Sequence, residues 1–206
     1  MTTTLSAAPV PIVTQTMLSM LSAALVLCGE KPLNSLTDPR YGAQVGAALF
    51  DMVYENELQA NRWRFCSKKG TLTQVNSTPL NEWQYVYQMP TDCIQFIGFW
   101  GVGPDKLYEI YGNQIYTNVT SNPGVVPASM TAEYMFKPDP ATIPSYFSLL
   151  VTLALAKHMA KPITESDSNR TKCEQAYNQQ RSLAMFIDAT SRPNRPMQHK
   201  PFIQVR

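Results

Sequence analysis

Four cysteines, two histidines and a pair of neighbouring acids are the residues best able to do chemistry in this chain. Cys28, Cys66, Cys93 and Cys173 would bind zinc or run thiol exchange if they came in CxxC pairs or beside histidine. They are scattered instead, which supports reduced and mostly buried thiols, although the count alone also permits two disulfides. His158 lies beside Lys157 and Lys161 near the end of an apolar stretch, where a histidine complements the negative end of a helix. His199 lies near the C-terminus. Glu165 and Asp167 are adjacent acids at a helix start, where capping accounts for them. No serine is framed as GxSxG, and no GxxxxGK[ST] loop is present. Gly101-Val102-Gly103 leads into Pro104 and a strand-like run, not a helix, and reads as a turn. Asn76-Ser77-Thr78 and Asn118-Val119-Thr120 match the glycosylation pattern, which carries no weight without a secretory signal. The expectation is a protein without catalytic residues, metal or cofactor.

The elements that position these residues come from a chain of 206, enough for one domain or one domain with an insertion. A hydrophobic share of 44% can build a core. The charged share of 16% is well below the usual quarter, and ten Tyr accompany ten Met. Such a surface suits a protein that buries itself against other chains. The net charge of +2 makes no general case for nucleic-acid binding, and outside the tail the basic residues look dispersed. The sixteen prolines mark many boundaries and extended segments. The apolar run 17–28 has no basic residue before it, since the first is Lys31, so it reads as a buried helix and not a secretory signal. The run 141–156 contains Pro144 and several hydroxyls and falls short of the ~20 apolar residues a membrane span needs. No transmembrane helix is expected.

Residues 1–13 read as an uncharged arm with Pro9 and Pro11. A first helix starts at Thr14 or Thr16 and stops at Gly29, with Leu18, Leu21, Leu25 and Cys28 at helical spacing. Asp38 as N-cap and Pro39 at the first helical position open a second helix that ends near Asn61. Its apolar stripe is Tyr41, Val45, Ala48, Leu49, Met52 and Val53, with Asp51, Glu55, Glu57 and Gln59 largely off it. From Trp63 to Phe136 the chain becomes rich in aromatic and β-branched residues. Runs 83–87, 93–100, 107–111, 114–118 and 131–136 read as strands. Turn signals separate them at Lys69-Gly70, Gly103-Pro104, Gly112-Asn113 and Asn122-Pro123-Gly124, and Tyr111-Gly112-Asn113-Gln114 is a hairpin signal.

Helical character returns after Pro140, with Pro144 in a first turn. Residues 146–156 are apolar on nearly every face, which marks a central helix, and Pro162 ends it. Thr164 and Asp167 resemble a capping box for a last helix. Its apolar face holds Cys173, Ala176, Tyr177, Leu183, Ala184 and Ile187, and its wet face runs from Arg170 to Arg181. The tail 191–206 carries Arg192, Arg195, Lys200 and Arg206 with no acid, three prolines, and a strand-capable end of Phe202, Ile203 and Val205. Free in solution it is expected to be disordered. The fold expected is α+β: a discontinuous helical bundle from 14–62 and 141–190, a central antiparallel β insertion over 63–140 (a small sandwich or barrel), and an extended C-terminal arm.

This order of signals resembles the head-to-tail adaptor family of podoviruses called tail tubular protein A. The match is sharpest at Ala24-Leu25-Val26-Leu27-Cys28-Gly29-Glu30-Lys31-Pro32-Leu33-Asn34-Ser35-Leu36 and at Arg62-Trp63-Arg64-Phe65. It covers residues 17–72 specifically, and the remainder in pattern only. Gly29, Glu30, Pro32, Leu36, Trp63 and Phe65 are the motif positions, and their own physics is structural. Gly29 and Pro32 shape a turn, Leu33 and Leu36 pin the loop, and Trp63 and Phe65 point the same way on a strand.

The resemblance implies a virion protein, made in the host cytoplasm, that forms a dodecameric ring beneath the portal ring. It would extend the DNA channel, without specific DNA binding or a membrane, and present a platform to the tail nozzle and possible tail fibres. It also implies that the C-terminal segment docks on the portal; the tail's own composition suits that use, with Phe202, Ile203 and Val205 as the expected anchors. Arg192, Arg195, Lys200 and Arg206 would steer it to an acidic surface. A connector of a long-tailed phage shares the helical plan, but the β insertion of over seventy residues favours the podovirus type. A tail-associated hydrolase and a DNA-binding module are the remaining readings.

Overall fold

The computed structural model describes residues 16–75, 82–100, 107–119 and 130–191. The arm 1–13, the tail residues 192–206 and the turn signals at 103–104 and 122–124 lie outside the described residues. Helix α1 spans Met17–Leu27. Thr16 is its N-cap and forms a reciprocal capping box with Ser19. At the other end Gly29 takes a φ of +89°. Its amide donates to Val26 O and the Glu30 amide to Leu25 O, which satisfies two terminal carbonyls.

Helix α2 spans Tyr41–Gln59 with Arg40, not Asp38, at the N-cap. Asp38 instead accepts from the Arg40 amide and guanidinium, and the same guanidinium donates to the carbonyls of Lys31 and Pro32. The loop is thus held by Arg40 and by buried Leu33, while Leu36 is exposed and pins nothing.

The buried face of α2 differs from the expected stripe. Ala43, Gly46, Phe50, Val53, Tyr54 and Leu58 face inward, and Tyr41, Ala48 and Met52 face solvent. Helix packing explains the phase. A Cβ on Gly42 would lie 2.8 Å from Leu25, and one on Gly46 2.9 Å from Leu21 and 3.0 Å from Met159. The glycine side is where the neighbouring helices come closest, so it becomes the core side.

Helix α3, Ser145–Thr164, is the central helix that its composition predicts; Leu150, Val151, Ala154, Leu155, Ala156 and Met159 are fully covered. Pro144 is its N-cap, and Pro162 lies inside its last turn without ending it. That proline removes one backbone donor only, and the helix closes where Glu165 turns left-handed at φ 51°. Helix α4, Asp167–Thr190, is capped by Ser166, whose hydroxyl accepts from the Asn169 amide. Thr164 has another task, donating to Ala160 O. On α4, Cys173, Tyr177, Gln180, Ala184 and Asp188 are buried, whereas Leu183 is half exposed.

Six strands lie between α2 and α3: β1 Ser67–Gln74, β2 Tyr85–Gln88, β3 Cys93–Phe99, β4 Tyr108–Tyr111, β5 Gln114–Thr117 and β6 Met130–Phe136. They form one antiparallel sheet in the order β3-β6-β1-β2-β5-β4, not two stacked sheets. Strand β1 lies outside the runs that composition marks as strands. Lys69-Gly70 reads as a turn in sequence, yet these residues pair with Glu133 and Ala132 in mid-strand. Strand β1 pairs with β6 over its first six residues and with β2 over its last two, which joins the two halves of the sheet. Two register shifts bend β3. The sheet curls until its edge strands meet through aromatic rings, with Phe96 and Tyr108 centroids 4.9 Å apart. Leu72, Tyr87, Ile115, Met130 and Ala132 fill the sheet's own core. The hairpin at Gly112-Asn113 forms as its sequence predicts, with Gly112 at φ +61°.

The fold is therefore α+β, with four helices and one curled antiparallel sheet. One core cluster draws on all four helices and on Trp63, Cys66 and Met135 from the sheet side.

Candidate functional site

Trp63 and Phe65 lie in the turn ahead of β1, not on a strand. They still act together, because both rings pack on Phe147 of α3, at 5.1 and 4.8 Å between centroids. Trp63 Nε1 also donates to Glu57 O at 2.8 Å and so satisfies a carbonyl in the last turn of α2. The motif positions Gly29, Glu30, Pro32, Trp63 and Phe65 are turn and core residues. The docking residues Arg192, Arg195, Lys200, Phe202, Ile203, Val205 and Arg206 lie outside the described residues.

Glu57, expected at the helix surface, is only 2% exposed. The Tyr177 hydroxyl donates to both its carboxylate oxygens, at 2.9 and 3.1 Å, and ties α2 to α4. Lys157 Nζ stands 4.0 Å above the Tyr177 ring. Burial raises the Glu57 pKa, against the opposing effects of the Tyr177 bond, Lys157 and Arg181. Burial and the adjacent carboxylate push the Tyr177 phenol up to about 12. The folded state therefore holds the Glu57 proton more tightly than the unfolded chain does. Stability from this group is full below the ordinary glutamate pKa and is lost as pH rises through the raised one. Glu57→Gln keeps an acceptor for Tyr177 and removes the titration. Denaturation midpoints measured across pH are expected to turn progressively in favour of the Gln variant as pH rises. Parallel profiles would contradict the assignment.

A second polar junction joins the ends of the helical and sheet segments. Asp188, buried near the end of α4, accepts from the Arg64 amide at 3.1 Å and from the Tyr146 hydroxyl at 2.8 Å. The Arg64 guanidinium donates to Ala189 O at 2.6 Å. These bonds fix where the chain leaves α4 for the tail.

The thiols are free, and Cys28, Cys66 and Cys173 are buried. Burial pushes the Cys28 thiol up to about 11 and the Cys66 thiol up to about 12, so both favour the unreactive protonated form. His158 sits two turns before the end of α3, not in its last turn. Desolvation, Lys157 and Arg170 hold its pKa below the ordinary histidine range, so helix-end stabilisation of the imidazolium does not describe it. Among the described residues no group of three or more His, Cys, Asp or Glu is placed to hold a metal. No helix among them is long and apolar enough to cross a membrane.

Two outward features remain. The first is apolar: Tyr41, Ala48 and Met52 recur at i, i+7 and i+11 on α2, directly opposite its buried face. Tyr41 and Met52 are each 63% exposed. On α4, Leu183 and Phe186 are also exposed at i, i+3 spacing, and Leu107, Ile110 and Tyr111 project from the sheet around β4.

The second feature is charged. Arg62, Arg64, Lys68 and Lys69 gather around a cleft of about 560 Å³ with Ser67 and Glu133. Lys157, His158, Lys161 and Arg170 line another of about 370 Å³ with Glu174. Basic residues that look dispersed in sequence are therefore grouped in the fold. The first group is encoded by the run Arg62-x-Arg64-x-x-x-Lys68-Lys69, in which Trp63 and Phe65 alternate with the basic residues. Aromatic and basic side chains also interleave here, since Lys69 Nζ lies over the Trp100 ring and Lys68 Nζ over Phe136. Compared with protein-family models and with curated proteins, the sequence finds no match.

Proposed function

We propose that this chain is a structural virion protein, a head-to-tail adaptor that forms a ring between portal and tail nozzle. The observation that carries the reading is the pair of unpartnered apolar stripes on α2 and α4, two different helices that both pack on α3. A contact between two different patches of identical subunits is heterologous, and repetition of such a contact closes into a ring when the rotation permits. A low-charge chain with apolar side chains left outside on two helices suits that geometry. In this reading the four helices form the ring body, a discontinuous bundle drawn from both ends of the chain. The curled sheet, with Leu107, Ile110 and Tyr111 exposed on it, is the platform for the nozzle and, where present, fibres. Residues 191–206 are an extended arm that docks on the portal by ordering around Phe202, Ile203 and Val205. DNA passes through the lumen, and no catalytic role is proposed.

The described core cluster runs from Met20 to Ala184, so a chain ending at Thr190 keeps all of it. A chain ending at Thr190 is expected to stay folded by circular dichroism and to lose binding to isolated portal rings. A truncated chain that decorates portal rings at the wild-type level would remove the docking role of the tail.

A further inference from the structure

The two basic clefts lie at opposite ends of one helix edge. Arg170 and Arg181 are eleven residues apart on α4, three turns on the same side, and both are exposed. Arg170 belongs to the α3–α4 cleft, and Arg64, bonded to Asp188 and Ala189, begins the other. Lys157 lines the α3–α4 cleft and also faces the buried Glu57, and Arg181, which interacts with the same carboxyl, falls between the two clefts. From Arg170 to Asp188, where Arg64 is bonded, the helix rises about 27 Å, which sets the span between the two clefts along α4. Of the 17 Lys and Arg residues, four lie in the tail, and eight of the other thirteen border this row.

Part of that charge is neutralised. Arg62 pairs with Glu133 at 2.7 Å, Lys161 with Asp167 at 3.0 Å, and Lys68 with Asp92. Among the described residues, Arg170 and Arg181 have no such ion pair, and Glu174 is the one acid lining the cleft beside Arg170. We propose that this edge of α4, from the Lys157–Arg170 cleft to the Arg62–Lys69 cleft, binds the phosphate backbone of nucleic acid without reading its sequence. A protein partner would need an apolar centre. Leu183 and Phe186, the exposed apolar pair of α4, lie on its far side from Arg170 and Arg181 by helical phase. An extended row of exposed cations fits a repeating line of phosphates, and about 27 Å matches roughly eight base pairs of duplex. The inference stands on charge placement and does not depend on the ring reading.

The test uses the full chain and a fluorescein-labelled random-sequence DNA duplex, followed by anisotropy at several salt concentrations. Wild type is expected to bind at low salt and to weaken steeply as salt rises. Arg170→Glu with Arg181→Glu is expected to weaken binding by on the order of tenfold or more and to lower the salt slope by about two. Lys31→Glu with Lys172→Glu changes net charge equally but lies off the row, and is expected to change affinity less than about twofold. Circular dichroism checks that each variant is folded. Equal losses in the two double variants, or no wild-type binding at low salt, would overturn the proposal. So would poly-glutamate competing with the duplex at equal charge, which would assign the row to an acidic polypeptide.

Discussion

Trp63→Ala is expected to destabilise the fold by about 3–5 kcal/mol, a large part of the roughly 5–15 kcal/mol by which natural domains are stable. Three losses combine at this site. The ring is 1% exposed, so its removal leaves a cavity in the core that the helices share. Its edge contact with Phe147 disappears, and Phe65 loses a neighbour 6.2 Å away. The indole donor to Glu57 O is lost in the same turn where the Glu57 carboxyl is buried and bonded to Tyr177. Trp63→Phe keeps most of the packing and loses the bond, at a cost nearer 1–2 kcal/mol by order of magnitude. Chemical denaturation of the two variants checks this. An alanine variant within about 1 kcal/mol of wild type would show that the turn between α2 and β1 is not a structural joint.

Tyr41→Glu with Met52→Glu is expected to do the reverse, leaving the fold intact and preventing the proposed ring. Both side chains are 63% exposed, and exposed substitutions change stability by at most about 0.5 kcal/mol each. In a subunit contact the same two carboxylates would be buried without partners, which costs several kcal/mol. The expected result is a variant with the wild-type melting temperature that adds to portal rings only below full occupancy. Full rings with both glutamates present would place the subunit contact elsewhere, leaving the α2 stripe as ordinary surface.

These two sites also mark how far the sequence could be read. Local signals were clear where one residue decides the conformation: Gly29 for the end of α1, Gly112 for the hairpin, and the all-round apolar composition of α3. Strands β2 to β6 carried aromatic and β-branched residues and were readable to within a residue or two. Strand β1 was hidden because Ser67-Lys68-Lys69-Gly70 has neither alternation nor β-branched residues. Its place is set by pairing with β6, a tertiary effect. Helix α2 offered two apolar faces. The choice between them rests on how closely α1 and α3 approach Gly42 and Gly46, which spacing along one helix does not contain. Glu57 could not be foreseen as buried, since its partner Tyr177 lies 120 residues away. The charged row has the same character, for it assembles from β1, α3 and α4 only in the folded chain.

Light scattering on the full chain, alone and then mixed with the cognate portal ring, is the most direct measurement of the central claim. The account predicts a 23.1 kDa species alone that raises the mass of the portal ring to a fixed, saturating value on mixing. A stable ring without the portal would keep the adaptor role and remove the need for a template. A portal ring whose mass does not change at any concentration of the chain would contradict the adaptor reading.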